Sequence, residues 1–195
     1  QPVTLTATVH NGNAPTGFVE FSANDFYIAG CESVALTGGQ AQCVTSALPI
    51  GTNTLKATYG GDTGNAASNG TLSYEVTRAT VTLTITAHTP DPSAVLSPVM
   101  VSVALVVAPG TGTPTGTVAV SRGVDGCTIT LPATSCAFTP TVAGTAAIAA
   151  QYGGDANFAP QSATTVSHTA TALAQTIMFP AIPDVAIGTA PILVS

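Results

Sequence analysis

Hydrophobic and polar residues alternate along most of this chain with a period of two. Residues 3–10 read Val-Thr-Leu-Thr-Ala-Thr-Val-His, and residues 81–86 read Val-Thr-Leu-Thr-Ile-Thr. Because successive side chains of a β-strand point to opposite faces, this pattern predicts half-buried strands. The run from 99 to 107 is apolar at most positions, which predicts a strand whose second face is partly covered. No segment shows the periodicity of a helix.

Turn residues separate these runs at regular intervals. The strand-like runs recur about every ten residues, between turns such as Asn11-Gly12 and Gly38-Gly39, as in an antiparallel sandwich. The second half of the chain has seven runs, the number expected of an immunoglobulin-like sandwich: 80–88, 98–107, 116–121, 127–131, 135–139, 145–152 and 162–170. The predicted fold class is all-β, with two tandem immunoglobulin-like (Ig-like) β-sandwiches and a C-terminal strand-like segment.

The two halves of the chain are copies of one another. Pro-Thr-Gly at 15–17 recurs at 114–116, Tyr-Gly-Gly-Asp at 59–62 recurs at 152–155, and each copy holds one cysteine pair. Gln1 corresponds to Ser97, so the first copy has no counterpart of the strand at 80–88 and is left with six strands. We therefore expect an Ig-like domain lacking its first strand at 1–79 and a complete Ig-like domain at 80–172.

The remaining residues, 173–195, are expected to form the opening strands of a third Ig-like module or a donor strand. A strand of this kind could add to the open edge of the first domain. Its apolar residues are Ile177, Phe179, Ile182, Ile192 and Val194. The alternative, which we favour, is that the chain is excised from a longer one whose missing strand lies upstream of Gln1.

These motifs resemble a known family. The segments at 1–9, 15–17, 30–31 and 59–62, and the closer match Tyr-Gly-Gly-Asp-Ala-Asn-Phe-Ala-Pro at 152–160, resemble the bacterial Ig-like repeats of large secreted and cell-surface proteins. The resemblance implies the Ig-like fold over essentially the whole chain. It leaves the function open, because such repeats serve as stalks, spacers and binding tips.

Composition and charge exclude several functions. Of 195 residues, 45% are hydrophobic and 6% are charged, and the net charge is -6 with only three Lys+Arg, so nucleic acid is excluded as a partner. The longest apolar stretch, 99–108, is far short of the roughly 20 residues that a membrane span needs. The first residues lack the basic and apolar regions of a signal peptide, so we expect a chain that is processed or excised from a longer one.

The four cysteines fall into two local pairs, Cys31 with Cys43 and Cys127 with Cys136. Of the three possible connectivities, pairing within each copy is favoured, with each disulfide bridging a predicted hairpin. The alternative is four free buried thiols. Without a Cys-x-x-Cys motif the spacing does not match a zinc site. Disulfides would indicate an oxidising compartment, and hence an extracellular or bacterial cell-surface location.

A Tyr and an Asp recur together at the end of one predicted strand in each copy. We expect Asp62 and Asp155 to stabilise turns by accepting backbone N–H groups, because no cluster of further carboxylates completes a calcium site. Tyr59 and Tyr152 are expected to pack in the core with their hydroxyls bonded to backbone, stacking against sugar being the alternative.

The histidines give little indication of chemistry. His88 and His168 lie at the ends of the first and last strands of the second copy, which can run side by side, but no third ligand is evident. We therefore expect solvent-exposed strand histidines, with no metal and no cofactor. No Ser or Cys stands in an elbow motif with His and acid partners, so an enzyme is not expected.

Three functions fit these features. The first is a structural or adhesive region acting as stalk or spacer, whose partners are neighbouring Ig-like modules, copies of itself, or a host or cell-surface ligand. The alternative is a filament subunit in which the C-terminal strand completes the first domain of the next copy. The third is a carbohydrate-binding module that uses an exposed aromatic residue such as Tyr27 or Phe18.

Overall fold

The computed structural model describes residues 1–10, 13–108, 110–179 and 181. Among these residues the regular structure consists of β-strands without any helix, so the predicted all-β fold class is confirmed. In the same residues no helix is long and apolar enough to cross a membrane.

The strands of residues 3–76, here called the first unit, pair only with one another among the described residues. β1 pairs with β5 in one sheet, and the other sheet has the order β3-β2-β6-β7, with β4 also on β2. The strands are β1 (Val3–Thr8), β2 (Phe18–Ala23), β3 (Phe26–Tyr27), β4 (Val34–Ala35), β5 (Gln40–Thr45), β6 (Gly51–Tyr59) and β7 (Ser68–Val76). Their buried core includes Leu5, Val19, Phe21, Leu55 and Tyr59.

The strands of residues 81–171, the second unit, surround a core of their own. One sheet has the order β13-β10-β8, and the other has the order β12-β11-β14-β16-β9, with β15 on β14. The strands are β8 (Val81–Thr89), β9 (Ser93–Ala94), β10 (Val99–Val107), β11 (Thr117–Arg122), β12 (Asp125–Thr130), β13 (Ser135–Phe138), β14 (Gly144–Tyr152), β15 (Gln161–Ser162) and β16 (Val166–Thr171). Its core includes Val81, Leu83, Val101, Ile148 and Tyr152.

Strand registers relate the two units residue by residue. Leu5 of β1 lies opposite Cys43, as Val101 of β10 lies opposite Cys136. In the other sheet Val19 lies opposite Tyr59, as Val118 lies opposite Tyr152. β1 therefore corresponds to β10, and by the same comparison β6 corresponds to β14 and β7 to β16.

The structure of two regions differs from what the sequence pattern predicts. Residues 172–179 form no strand, although an opening strand was expected there, because within the described chain no neighbouring strand bonds to their backbone. Ala79, assigned from the sequence to the first domain, donates its N–H to Asn157 and accepts the N–H of Ala159 in the second unit.

Candidate functional site: an open strand position in the first unit

The second unit has an edge strand with no counterpart among the described residues of the first unit. β8 pairs with β10 along eight positions, from Met100 opposite Thr89 to Val107 opposite Val81. It directs three alternate side chains inward, and Val81, Leu83 and Ile85 are 5%, 4% and 8% exposed. In the described part of the first unit β1 pairs only with β5, so its other edge carries the unpaired N–H and C=O groups of an edge strand.

A groove marks the missing strand position. It has a cavity volume of about 430 Å³ and runs between β1 and β7; we call it the β1–β7 groove. Its lining includes Leu5, Phe21, Leu55, Leu72 and Tyr74. Most of these side chains are apolar, so the groove opens onto the core of the first unit.

Corresponding side chains are more exposed where the strand is missing. Val99 and Val101 of β10 are fully buried, whereas Val3 of β1 is half-buried and Leu5 is 9% exposed. Leu72 on β7 is 62% exposed, although it lies opposite Leu55 in the core sheet. The sandwich of the first unit is therefore open along one side, as the sequence comparison with residues 80–88 predicts.

Both predicted disulfides are present and join the two sheets of their units. The carbonyl of Cys31 accepts a hydrogen bond from the backbone N–H of Phe21, which belongs to one sheet. The disulfide joins Cys31 to Cys43 on β5 in the other sheet, with Cα atoms 5.8 Å apart. Cys127 on β12 is linked to Cys136 on β13, with Cα atoms 6.0 Å apart. The expected hairpins are wrong, because β12 and β13 belong to opposite sheets and do not pair.

The repeated aspartates fasten loops at corresponding corners. Asp62 Oδ2 accepts the backbone N–H of Thr16 at 2.8 Å and its hydroxyl at 2.9 Å, and Asp155 Oδ2 accepts both groups of Thr115 at 2.8 Å. The N–H of Thr16, followed by that of Gly64, holds the pKa of Asp62 well below its usual range. Burial alone would raise the pKa of Asp155. The hydrogen bonds that it accepts from Thr115, Asn157 and Phe158 outweigh burial and lower the pKa.

The tyrosines beside these aspartates differ from expectation in one respect. Tyr59 is 3% exposed and Tyr152 is fully buried, yet neither hydroxyl has a hydrogen-bond partner among the described residues. Burial, and then the neighbouring Asp62 or Asp155, raises the pKa of each phenol. Because these rings lie in the core, they offer no surface on which a sugar could stack.

Phe18 and Tyr27, the two aromatic residues predicted for sugar binding, do not form one stacking platform. Phe18 and Tyr27 are 57% and 66% exposed. Tyr27 lies opposite Ser22, four residues beyond Phe18 on β2, which separates the two by about 13 Å along the strand.

His88 and His168 do meet, and a third group joins them. Their Nδ1 atoms are 3.4 Å apart, and Asp91 Oδ1 is 3.2 Å from Nδ1 of His168. The expectation of solvent-exposed strand histidines is wrong for His168, which is fully buried because β9 pairs beside it on β16. Burial lowers the pKa of His168, which Asp91 partly opposes. Sequence reasoning missed Asp91, which lies only three residues after His88.

Ser93 completes a chain of polar contacts, since its Oγ is 3.0 Å from Nε2 of His168. The order Ser93, His168, Asp91 is the order of a Ser-His-Asp triad, which the sequence did not reveal. Ser93 is only 3% exposed and His168 is fully buried, so a substrate cannot reach the hydroxyl oxygen. This arrangement therefore orients the imidazole and does not provide an accessible nucleophile.

Comparison with known proteins identifies the first unit. Residues 1–77 match the family model of the bacterial Ig-like domain, group 3. The matched range contains every strand of the first unit and the residues that line the β1–β7 groove.

The wider comparisons concern the chain as a whole. No curated protein matches it significantly. Among solved structures, it is similar to the fibronectin(III)-like modules of Clostridium thermocellum CbhA, at 16% identity and a TM-score of 0.40, over 91% of this chain and 90% of that chain.

Proposed function

We propose that this chain is a structural region of an extracellular bacterial protein, in which Ig-like units act as a stalk or spacer. The observation that carries the proposal is an Ig-like sandwich in each unit with a disulfide joining its two sheets. Disulfides persist in oxidising environments outside the cytoplasm. The hydroxyl-rich, weakly charged strand surfaces fit a spacer, since only 6% of the residues are charged.

The location and the disulfides can be tested together in the bacterium that encodes the chain. Intact cells are treated with an external protease, and the released chain is alkylated before and after reduction for mass spectrometry. We expect cleavage without lysis and alkylation of four cysteines only after reduction. Four thiols that react before reduction, or a chain cleaved only after lysis, would contradict an extracellular spacer.

The β1–β7 groove favours a second candidate function, assembly of the chain into filaments. We propose that residues 172–179 of one copy add as a strand to the open edge of β1 in the next copy. These residues are free to pair, since Leu173, Ile177 and Phe179 are 53%, 85% and 77% exposed. Positions 173, 177 and 179 are separated by even numbers of residues, so in an extended strand the three side chains point to the same face. Ile182, Ile192 and Val194, predicted for the same strand, lie outside the described residues.

Strand addition accounts for both partners of this contact. The backbone of β1 supplies the hydrogen-bonding edge, and the groove takes alternate apolar side chains, as in β-augmentation. The chain's single Lys, Lys56, lies on β6 and lines the β1–β7 groove, whereas β1 itself carries none of the Lys residues that commonly block pairing at a strand edge. Because the donor and the acceptor are different surfaces, the contact is head-to-tail and extends into a filament unless it closes into a ring.

Light scattering and negative-stain microscopy test this second candidate. We expect concentration-dependent polymers from the full chain and monomers from a chain that ends at Thr171. Replacing Ile177 and Phe179 by Thr should also give monomers, whereas replacing the exposed Val124, which is 87% exposed in the second unit, should leave the polymers intact. Monodisperse monomers of the full chain would overturn the filament and leave the spacer proposal standing.

A further inference from the structure

We propose that His88, Asp91 and His168 of the second unit form a binding site for a divalent transition-metal ion, for which Zn²⁺ has the best-matched chemistry. The three residues come from β8, from the loop that follows it and from β16. They are brought together as the only group of this kind among the described residues, with each side chain offering one ligand atom.

The spacing of the donor atoms matches a small ion. Zn²⁺ binds imidazole nitrogen and carboxylate oxygen at about 2.0–2.2 Å, so tetrahedral ligands lie about 3.3–3.5 Å from one another. Here Nδ1 of His168 is 3.2 Å from Asp91 Oδ1 and 3.4 Å from Nδ1 of His88. The other carboxylate oxygen, Asp91 Oδ2, is 3.9 Å from Nδ1 of His88. The ligand atoms of the three side chains all lie within 4.8 Å of one another.

The donor set selects the kind of metal. Two imidazole nitrogens and one carboxylate oxygen suit Zn²⁺, Ni²⁺ or Cu²⁺, whereas Ca²⁺ takes about six to eight oxygen ligands. Three protein ligands leave a fourth tetrahedral position for water or for an external ligand. Solvent reaches two of the three ligands, since the side chains of His88 and Asp91 are 18% and 37% exposed.

Two hydrogen bonds already orient the ligands. Ser93 Oγ lies 3.0 Å from Nε2 of the buried His168, so Nδ1 of this ring is turned toward His88 and Asp91. The backbone N–H of Thr169 donates to Asp91 Oδ1 at 3.1 Å. Partners of this kind, which fix the ring and the carboxylate from outside the metal's own ligands, are a general property of metal sites in proteins.

The charges around the cluster tolerate a cation. Asp91 contributes a negative charge, and His88 and His168 can both bind as neutral ligands. The buried guanidinium of Arg122 is a positive charge that acts on His168, and it lies 4.0 Å from the carboxylate of Asp125. That pairing reduces the repulsion that Arg122 would exert on a bound ion.

A metal here would hold the strand that the first unit lacks. β8 belongs to one sheet, whereas β9 and β16 belong to the other, and the three ligands span this crossover. Bound zinc would tie the end of β8 to β16 and close the second unit at the edge where the first unit is open. Metal binding would therefore stabilise the folded second unit, since binding to the native state shifts the unfolding equilibrium.

The test is calorimetric titration of the full chain with zinc chloride after removal of metals by a chelator. We expect one Zn²⁺ per chain, chelator-reversible binding and a zinc-dependent rise in melting temperature, with no response to Ca²⁺ or Mg²⁺. His88→Ala and Asp91→Asn should each weaken binding by more than about 100-fold, because changing even an outer partner of a metal site costs about 10–100-fold. His10→Ala, in the first unit, is the matched control and should bind as the parent chain does.

The outcome can be read even where a variant is unstable. Circular dichroism establishes that each variant is folded, and the imidazole proton resonances of the parent chain report directly which histidines zinc contacts. Zinc-induced shifts confined to His88 and His168 support the site. Equal shifts at His10, unchanged affinity in both folded variants, or no binding by the parent chain at millimolar zinc would overturn it.

Discussion

A copy of residues 80–96 placed directly ahead of Gln1 is expected to stabilise the first unit by about 3 kcal/mol. In the second unit these residues lead into Ser97, the counterpart of Gln1, so the added strand would arrive in the register that β8 has on β10. Urea unfolding followed by tyrosine fluorescence measures the effect. Three of the four tyrosines, Tyr27, Tyr59 and Tyr74, lie in the first unit.

The size of this effect comes from burial in the β1–β7 groove. In the second unit Val81, Leu83 and Ile85 are almost fully buried, and burying three such side chains contributes about 5 kcal/mol. The strand would also cover Leu72, which is 62% exposed, and would pair with the free edge of β1. Ordering the added residues costs conformational entropy, so the net gain is smaller than the gain from burial alone.

A matched control separates strand addition from a nonspecific effect of the extension. In the control the three inward positions of the added copy carry Thr, so the strand keeps its backbone and its length but loses its apolar face. We expect this control to unfold close to the parent chain. Equal stabilisation by both extensions, or by neither, would show that the groove does not accept a strand with the β8 pattern.

Most of the strands could be predicted from the alternation of apolar and polar residues and from the internal repeat. The seven runs predicted between 80 and 170 all correspond to strands, and the missing first strand of the first copy follows from aligning Gln1 with Ser97. Alternation is informative here because each strand has one buried face, which fixes which residues point inward. The internal repeat predicts an open edge beside β1 from a single sequence, because the strand at 80–88 has no counterpart ahead of Gln1.

Other features depend on how the strands cross between sheets, which alternation does not specify. Cys127 and Cys136 join opposite sheets because the chain changes sheet between β12 and β13. Likewise, Ser93 and Asp91 approach His168 because β9 leaves the sheet of β8 and pairs with β16. One signal in the sequence was missed. His168 occupies the position in the second unit that Tyr74 occupies in the first, because His168 lies opposite Ala146 and Tyr74 lies opposite the corresponding Asn53. A histidine in place of an aromatic residue at this position could have drawn attention to the site.

A second large effect is expected in the rates of amide hydrogen exchange, which should differ between β1 and β10 of the same chain. Every second amide of β1 points away from β5, toward the open edge, whereas β10 lies between β13 and β8 over Met100 to Ser102. Unpaired amides exchange through fluctuations that cost little free energy. We expect these β1 amides to exchange at least about 100-fold faster than the β10 amides of Met100 to Ser102, while the β1 amides bonded to β5 remain protected.

Residue-resolved exchange by NMR, on the chain that ends at Thr171 and is shown to be monomeric by light scattering, is therefore the most direct measurement of the open strand position. The expected result is an alternating pattern, fast and slow, along Val3–Thr8, which becomes uniformly slow when the copy of residues 80–96 is added. Uniformly slow exchange along β1 in the unmodified monomer would contradict an open edge, because it would mean that both sides of β1 are already hydrogen-bonded.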